Sequence, residues 1–435
     1  MKIHESPFNI IKTVMSLIND KFIDHGIRVA YICHMMSLCE GVLDSHELRM
    51  LTSSALFHDI GAYKTEEVED LMHFDVVNSL PHSVYGYLFT KYLSPISSHA
   101  EVILYHHMPY EDSHMHRSKY MHYAQRMYLA DRIDISALLD GNNEAVIKTV
   151  EKSSGTLFSP YEIDLFIRAD KKYGIINALR DYDCESYMRD YYNNLHMTSE
   201  ELFRLVKMLV FTIDFRSEQT VTHTIQVADF SRTFGSLFSL PANDQNNLYY
   251  AGLLHDFGKI KVPVQILEKN GPLDNDEWPV MKRHAQWTRE IVSSFASADI
   301  TEIAARHHEK LNGSGYPDNL LADDITFPQR IMAVADIASA LSSKRSYKNP
   351  MPKENVIAIL QKMADNNQLD STIVNAFEAN YEHFMDRSSN DYQETGRCYE
   401  ALRSEYSSLI NKYTSLDDKF YKTSEHLFAD LAATK

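Results

Sequence analysis

Ala251-Gly252-Leu253-Leu254-His255-Asp256-Phe257-Gly258-Lys259-Ile260-Lys261 occurs twice in this chain, the other copy reading Ser54-Ala55-Leu56-Phe57-His58-Asp59-Ile60-Gly61-Ala62-Tyr63-Lys64. Each copy is an apolar run closed by a His-Asp pair and a glycine. Outward from His255-Asp256 lie His223, His284, the pair His307-His308 and Asp336. Outward from His58-Asp59 lie His25, His82, the pair His106-His107 and Asp131. Matching positions are 197 to 205 residues apart, so seven residues keep their order and nearly their spacing across half the protein. The local contexts agree too, VILYHHMPY with AARHHEKLNG and YLADRIDI with AVADIASA. A repeat of this period means two homologous domains.

Composition points to helices. The 435 residues contain 14 Gly and 13 Pro, about 3% each against the usual ~7% and ~5%, which excludes a turn-rich β-sandwich or a disordered chain. The expected fold is all-α. Phe203, Leu205, Val206, Leu209, Val210 and Ile213 recur at helical spacing ahead of His223, with Thr198 or Ser199 as the start signal. Ile331, Val334, Ala335, Ala338 and Leu341 form an apolar face around Asp336. These patterns divide the chain into residues 1–195, 196–388 and a tail, 389–435. In the tail Tyr399, Leu402, Tyr406, Leu409, Tyr413, Leu416, Phe420 and Leu427 make a heptad-like seam. Such a seam packs either on its own domain or on a second copy, as a homodimer.

The net charge of −17 argues against binding polymeric nucleic acid, which needs a basic face. Four scattered cysteines, the lack of an apolar leader and the lack of a long apolar run predict a cytoplasmic protein that makes no membrane contact. The 21 histidines matter through spacing rather than number. A lone helical histidine is usually a buried polar or surface group, and a lone Asp is often a cap. Five histidines and two aspartates in a repeated order are instead what a pair of divalent ions requires: neutral imidazoles suit Fe, Mn or Zn, and a shared carboxylate holds two ions about 3.5–4 Å apart.

With these motifs in view, the second half resembles an HD-GYP domain of the HD metal-dependent phosphohydrolase superfamily. The resemblance rests on His255-Asp256-Phe257-Gly258-Lys259, on His307-His308-Glu309-Lys310-Leu311-Asn312-Gly313-Ser314-Gly315-Tyr316-Pro317, and on the segment from Arg330 through Asp336 to Lys348. The first half resembles an HD domain without the GYP segment, since His107 is followed by Met108-Pro109-Tyr110-Glu111-Asp112. The pairing is similar to bacterial cyclic GMP-AMP phosphodiesterases, and the wider family also acts on cyclic di-GMP.

The resemblance implies hydrolysis of a cyclic dinucleotide to a linear 5'-phosphorylated product by attack of a metal-bridging hydroxide, with two metals, Fe or Mn favoured. His223, His255, Asp256 and Asp336 would hold one ion, and Asp256 would bridge to a second on His284, His307 and His308. A third ion in some members uses a Glu where this chain has Gln219, with Glu218 beside it, which favours two. Lys259 would hold a non-bridging phosphate oxygen. Gly313, Gly315, Tyr316 and Pro317 would shape the substrate pocket, and Lys344, Arg345 and Lys348 would take the second phosphate, although the family often has an acidic residue where Lys344 stands. In the first domain His25, His58, Asp59, His82, His106, His107 and Asp131 would hold metal, with Lys64 displaced from the position matching Lys259. Its expected role is a second phosphohydrolase, 5'-nucleotidase-like, or else sensory. Two further readings are a catalytically silent cyclic-dinucleotide sensor and a di-iron oxygenase; Lys259 and the GYP loop weigh against the oxygenase.

Overall fold

A computed structural model describes residues 7–16, 20–62, 80–139, 142–195, 197–214, 220–267, 269, 271–342, 351–386, 397, 400–402 and 404–413. Among them the secondary structure is helical, with two isolated β-bridges, and no helix is long and apolar enough to cross a membrane. The chain forms two compact units. One comprises Pro7–Met197 together with the tail from Glu400, and the other comprises Thr198–Tyr399.

In the first unit the site is framed by α1 (Asp20–Glu40), α2 (Ser45–Leu56), α3 (Leu80–Leu93), α4 (Ala100–Leu104) and α5 (Met121–Leu139). Asp44 caps α2 by accepting the Glu47 amide at 2.8 Å. α5 is fixed by Arg126, fully buried, which donates to Glu162 and Glu40 at 2.9 Å each and to Ser37 Oγ.

The second unit opens with α6 (Ser199–Asp214). Thr198 and Glu201 form a reciprocal capping box there: the Glu201 amide donates to Thr198 Oγ1 at 3.1 Å, and the Thr198 amide donates to Glu201 at 2.8 Å. Leu205, Leu209 and Val210 are buried. α7 (Thr220–Leu237), α8 (Ala242–Leu254), α9 (Glu277–Val292), α10 (Ala298–Ala305) and α11 (Phe327–Ser342) then repeat the order of the first unit. Burial of Ile331, Val334, Ala335 and Ala338 seats α11, and Phe230, Phe234, Phe377 and Phe384 pack into one aromatic cluster beside it.

The tail returns to the first unit. Glu405 accepts from Lys91 at 2.9 Å and from Tyr92 at 2.5 Å, Tyr406 stacks on Tyr85 at 4.1 Å, and Tyr413 OH meets Tyr105 OH at 3.1 Å. Leu402 and Tyr413 are buried, so this part of the heptad seam is spent within the chain. Tyr399, Leu416, Phe420 and Leu427 lie outside the described residues.

Candidate metal centres

The seven residues of each set converge from five elements. In the second unit His223 lies on α7, His255-Asp256 in the turn after α8, His284 on α9, His307-His308 after α10 and Asp336 on α11. The first unit places His25 on α1, His58-Asp59 after α2, His82 on α3, His106-His107 after α4 and Asp131 on α5. Chain order is thus converted into one point in space by a bundle in which each helix, or the turn that ends it, contributes one corner.

Each central aspartate presents its two oxygens to different histidines. Asp256 Oδ2 faces His255 Nε2 at 3.2 Å, while Oδ1 faces His284 and His307 Nε2 at 3.5 and 3.8 Å. Asp59 does the same: Oδ2 lies 3.1 Å from His58, and Oδ1 lies 3.4 Å from both His82 and His106. The second carboxylates behave alike. Asp336 meets His223 at 3.2 Å and His308 at 3.6 Å, and Asp131 meets His25 at 3.3 Å and His107 at 3.7 Å.

The imidazoles are held from behind. Nδ1 of His255, His284 and His307 bonds the carbonyls of Gly252, Met281 and Ala304 at 2.8, 2.7 and 2.7 Å, three residues upstream in each case. His58 and His106 repeat this with Ala55 and Ile103. A ring that donates from Nδ1 turns its Nε2 lone pair inward, the arrangement that prepares an imidazole for a metal. Nε2 of His58, His106 and His255 and Oδ1 of Asp59 are buried without a well-formed hydrogen bond of their own, an expensive condition for polar atoms unless an ion satisfies them. Burial also pushes the His284 and His308 imidazoles down to about 4 and about 3, so both are neutral at physiological pH and able to ligate. The donor atoms of His284, His307 and His308 lie within 4.8 Å of one another, as do those of His223, His255 and Asp256; in the first unit the groups are Asp59, His82, His106, His107 and His25, His58, Asp131. Oxygen and nitrogen donors of this kind suit divalent metal ions.

One family model, described as HD domain, matches residues 207–373, and another of the same description matches residues 22–136. Both halves are HD domains. Over 394 residues, 84% of this chain and 89% of the relative, the protein is 28% identical to 3'3'-cGAMP-specific phosphodiesterase 1 of Vibrio cholerae. It is 30% identical over 51% of its own length to a cyclic di-GMP phosphodiesterase of Thermotoga maritima, of which it covers 64%. A crystal structure of a cyclic GMP-AMP specific phosphodiesterase from V. cholerae, V-cGAP3, aligns with a TM-score of 0.51, covering 87% of this chain and 98% of that one. At 19% identity this likeness speaks to the fold alone.

The second HD domain opens onto a cleft of about 590 Å³ lined by His223, Asp256, His307, His308 and Asp336 together with Lys259, Tyr316 and Ile337. Lys259 gets there by a route that helical periodicity does not foresee. α8 ends at Leu254, and Phe257–Lys261 forms a 3₁₀ turn in which positions three apart eclipse. Lys259 therefore stands over Asp256, with Nζ 2.5 Å from Oδ2. Of the four sequence-predicted loop contacts Tyr316 lines the cleft, its ring 4.6 Å from that of His308. The lining residues do not include Gly313, Gly315 or Pro317. Gly313 takes φ +78°, whereas Gly315 is needed for space: a Cβ there would meet the Lys310 nitrogen at 2.4 Å. Gln219, Glu218, Lys64, Lys344, Arg345 and Lys348 lie outside the described residues.

Two supporting residues of this HD domain escape sequence reading. Thr288 Oγ1 accepts the Gly258 amide and donates to the His255 carbonyl, both at 2.9 Å, riveting the His-Asp turn to α9. Its only signal is its position four residues after His284. Glu309, buried directly behind the paired histidines, accepts the amides of Asp318, Asn319 and Leu320 at 2.6, 3.1 and 3.0 Å and so organises the whole loop after them.

Proposed function

We propose that this protein is a phosphodiesterase of HD-GYP type that opens a cyclic dinucleotide, with 3'3'-cyclic GMP-AMP favoured over cyclic di-GMP. The observation that carries the reading is the second centre itself: a seven-residue ligand set, with Lys259 and Tyr316 beside it, at the wall of an open cleft. The cyclic GMP-AMP preference is supported by the relative that the chain matches over 89% of its length.

Two divalent ions on these ligands would lower the pKa of bound water and draw charge from phosphoryl oxygens. The chain supplies the remainder. Asp256, buried and held well below the usual carboxylate range by His255 and Lys259 against the opposing effect of burial, stays ionised to hold the pair of ions. Lys259 is placed to neutralise a non-bridging phosphate oxygen entering the cleft. Tyr316, over His308, offers a ring face against which a base or ribose rests. The neutral His284 and His308 imidazoles keep their lone pairs available at physiological pH.

Incubating metal-replete protein with each cyclic dinucleotide and identifying products by chromatography tests the reading. Linear 5'-phosphorylated dinucleotide is expected, and Asp256→Ala abolishes it; absence of cleavage with Fe or Mn refutes the assignment. For the first HD domain the proposed role is a second metal-dependent phosphohydrolase acting on the linear product. Unchanged phosphate release from that product by a His58→Ala, Asp59→Ala variant ends this part.

A further inference from the structure

The two centres share their seven ligand-type residues, so they differ only in what surrounds them. Aligned through the repeat, Ala62 stands where the second centre has Lys259, and Arg132 stands where it has Ile337. Ala62 is fully buried and carries no charge. Ile337, one residue after Asp336, lines the cleft of the second centre, and Arg132 holds the matching position beside Asp131 in the first.

Arg132 is buried and lies against the centre. Its Nη2 is 3.1 Å from Asp131 Oδ2, the oxygen that also faces His107 Nδ1 at 3.7 Å. Tyr128 flanks the guanidinium at 5.9 Å and meets the His107 ring edge at 5.8 Å. Arg132 Nε is buried with no hydrogen-bond partner among the described residues. The other arginine near this centre, Arg28, is neutralised: its Nε and Nη2 bond Asp134 at 2.6 and 3.0 Å, and Asp134 also takes His25 Nδ1 at 2.7 Å. In the second centre Gln226 and Ser339 occupy those two positions as an uncharged pair, 3.2 Å apart. Each centre thus has one basic side chain resting on a ligand carboxylate, Lys259 on Asp256 and Arg132 on Asp131. A guanidinium carries five N–H donors, so Arg132 has capacity beyond the one carboxylate it touches.

We propose that Arg132 is the phosphate-binding side chain of the first centre, doing from α5 what Lys259 does from the His-Asp turn in the second. The inference rests on reading both clusters as metal centres. Its chemical consequence is a difference in ligand: a planar fork grips two oxygens of one phosphoryl group in parallel, whereas an ammonium grips as a point. The first centre therefore takes an exposed anionic phosphoryl group, the kind a chain-terminal phosphate presents.

Inorganic phosphate is the probe, titrated calorimetrically into full-length, metal-loaded protein whose metal content is measured on the same sample. Lys259→Ala weakens the hold of the second centre on phosphate, leaving the first centre as the tighter remaining site. Adding Arg132→Gln to it is expected to weaken that remaining site at least tenfold with metal content unchanged, and Arg132→Lys to weaken it less. Phosphate binding by the Arg132→Gln, Lys259→Ala protein equal to that of Lys259→Ala alone overturns the proposal. Loss of metal from the Arg132→Gln variant also overturns it, since Arg132 would then support the ligands rather than the phosphate. Wild-type protein that takes up no metal overturns the metal reading and this inference together, whereas metal uptake with indifference to Arg132 overturns this inference alone.

Discussion

Replacing Gly258 by alanine tests whether the second centre depends on the close approach of the His-Asp turn to α9. A Cβ at position 258 would lie 2.0 Å from the His284 carbonyl oxygen and 2.5 Å from the Thr288 amide nitrogen. Both are backbone atoms inside a helix and have no rotamer to yield. Restoring even a 3.0 Å contact requires the turn and α9 to part by about 1 Å. That motion separates Asp256 from His284, now 3.5 Å apart across the centre, and breaks the bonds Thr288 makes to the Gly258 amide and the His255 carbonyl. Misplacement of this size costs on the order of 100-fold in rate, and overpacking costs about 1–3 kcal/mol in stability. Gly258→Ala is therefore expected to lower kcat/KM for cyclic dinucleotide cleavage by about two orders of magnitude, with loss of metal from the second centre. Product chromatography and elemental analysis of the same preparation measure both. Gly61→Ala is the internal control, because its Cβ meets the His82 oxygen at 2.0 Å and damages only the first centre. A Gly258→Ala enzyme that keeps its metal and its rate within a small factor of wild type refutes the reasoning.

Other outcomes follow from the same geometry. Glu309→Gln replaces one of two acceptor oxygens with a donor facing backbone N–H groups, so thermal unfolding should show a loss of about 1–3 kcal/mol and kinetics a raised KM; unchanged values would mean the loop does not need this hub. Ending the chain at residue 399 removes Leu402 and Tyr413, buried anchors contributing up to about 1.5–3 kcal/mol each. The melting temperature of the first unit should fall by several degrees, and an unaltered melt would show the docking to be incidental. In metal-free protein burial opposes charge on His25, but Asp131 and Asp134 outweigh it and raise the imidazole to about 10. His255 is raised to about 9 by Asp256 and Asp336 against the same opposition. A folded-state value above the unfolded ~6.5 contributes stability in full below pH ~6.5 and loses it as pH rises through the folded value. In metal-stripped protein the melting temperature should thus exceed that of a His25→Gln, His255→Gln variant by more at pH 6 than at pH 9.5; parallel profiles would contradict this.

The two convergent sets of histidines and aspartates could be read from the chain because a metal centre would impose both residue type and order, and the order is present twice. Helices could be read where burial is one-sided, as on α6 and α11. Lys259 stands over Asp256 because a 3₁₀ turn and not a continuing helix carries it there, which spacing alone does not distinguish. Thr288 and Glu309 were illegible in their roles, because a threonine on a helix and a glutamate after two histidines carry no signal until their backbone partners are known. Arg132 was hidden similarly: beside Asp131 in sequence it reads as one more surface cation, and only its burial against Asp131 and Tyr128 reveals it. The partner of the tail was open on physical grounds, since a heptad seam specifies an apolar face without specifying what covers it.

That tail has a consequence for how the protein is made. The first unit is discontinuous, its opening segment ending at Met197 and its closing segment beginning at Glu400. At roughly 5–20 residues per second, a ribosome needs about 10–40 s to synthesise the chain between them. During that interval the first unit exists without its last piece, leaving the surface around Tyr85, Tyr92 and Tyr105 without its cover, while the second unit is synthesised to completion. The segment from Glu400 is then the part that completes the domain begun first, so completion of that domain reports that translation has passed through the other.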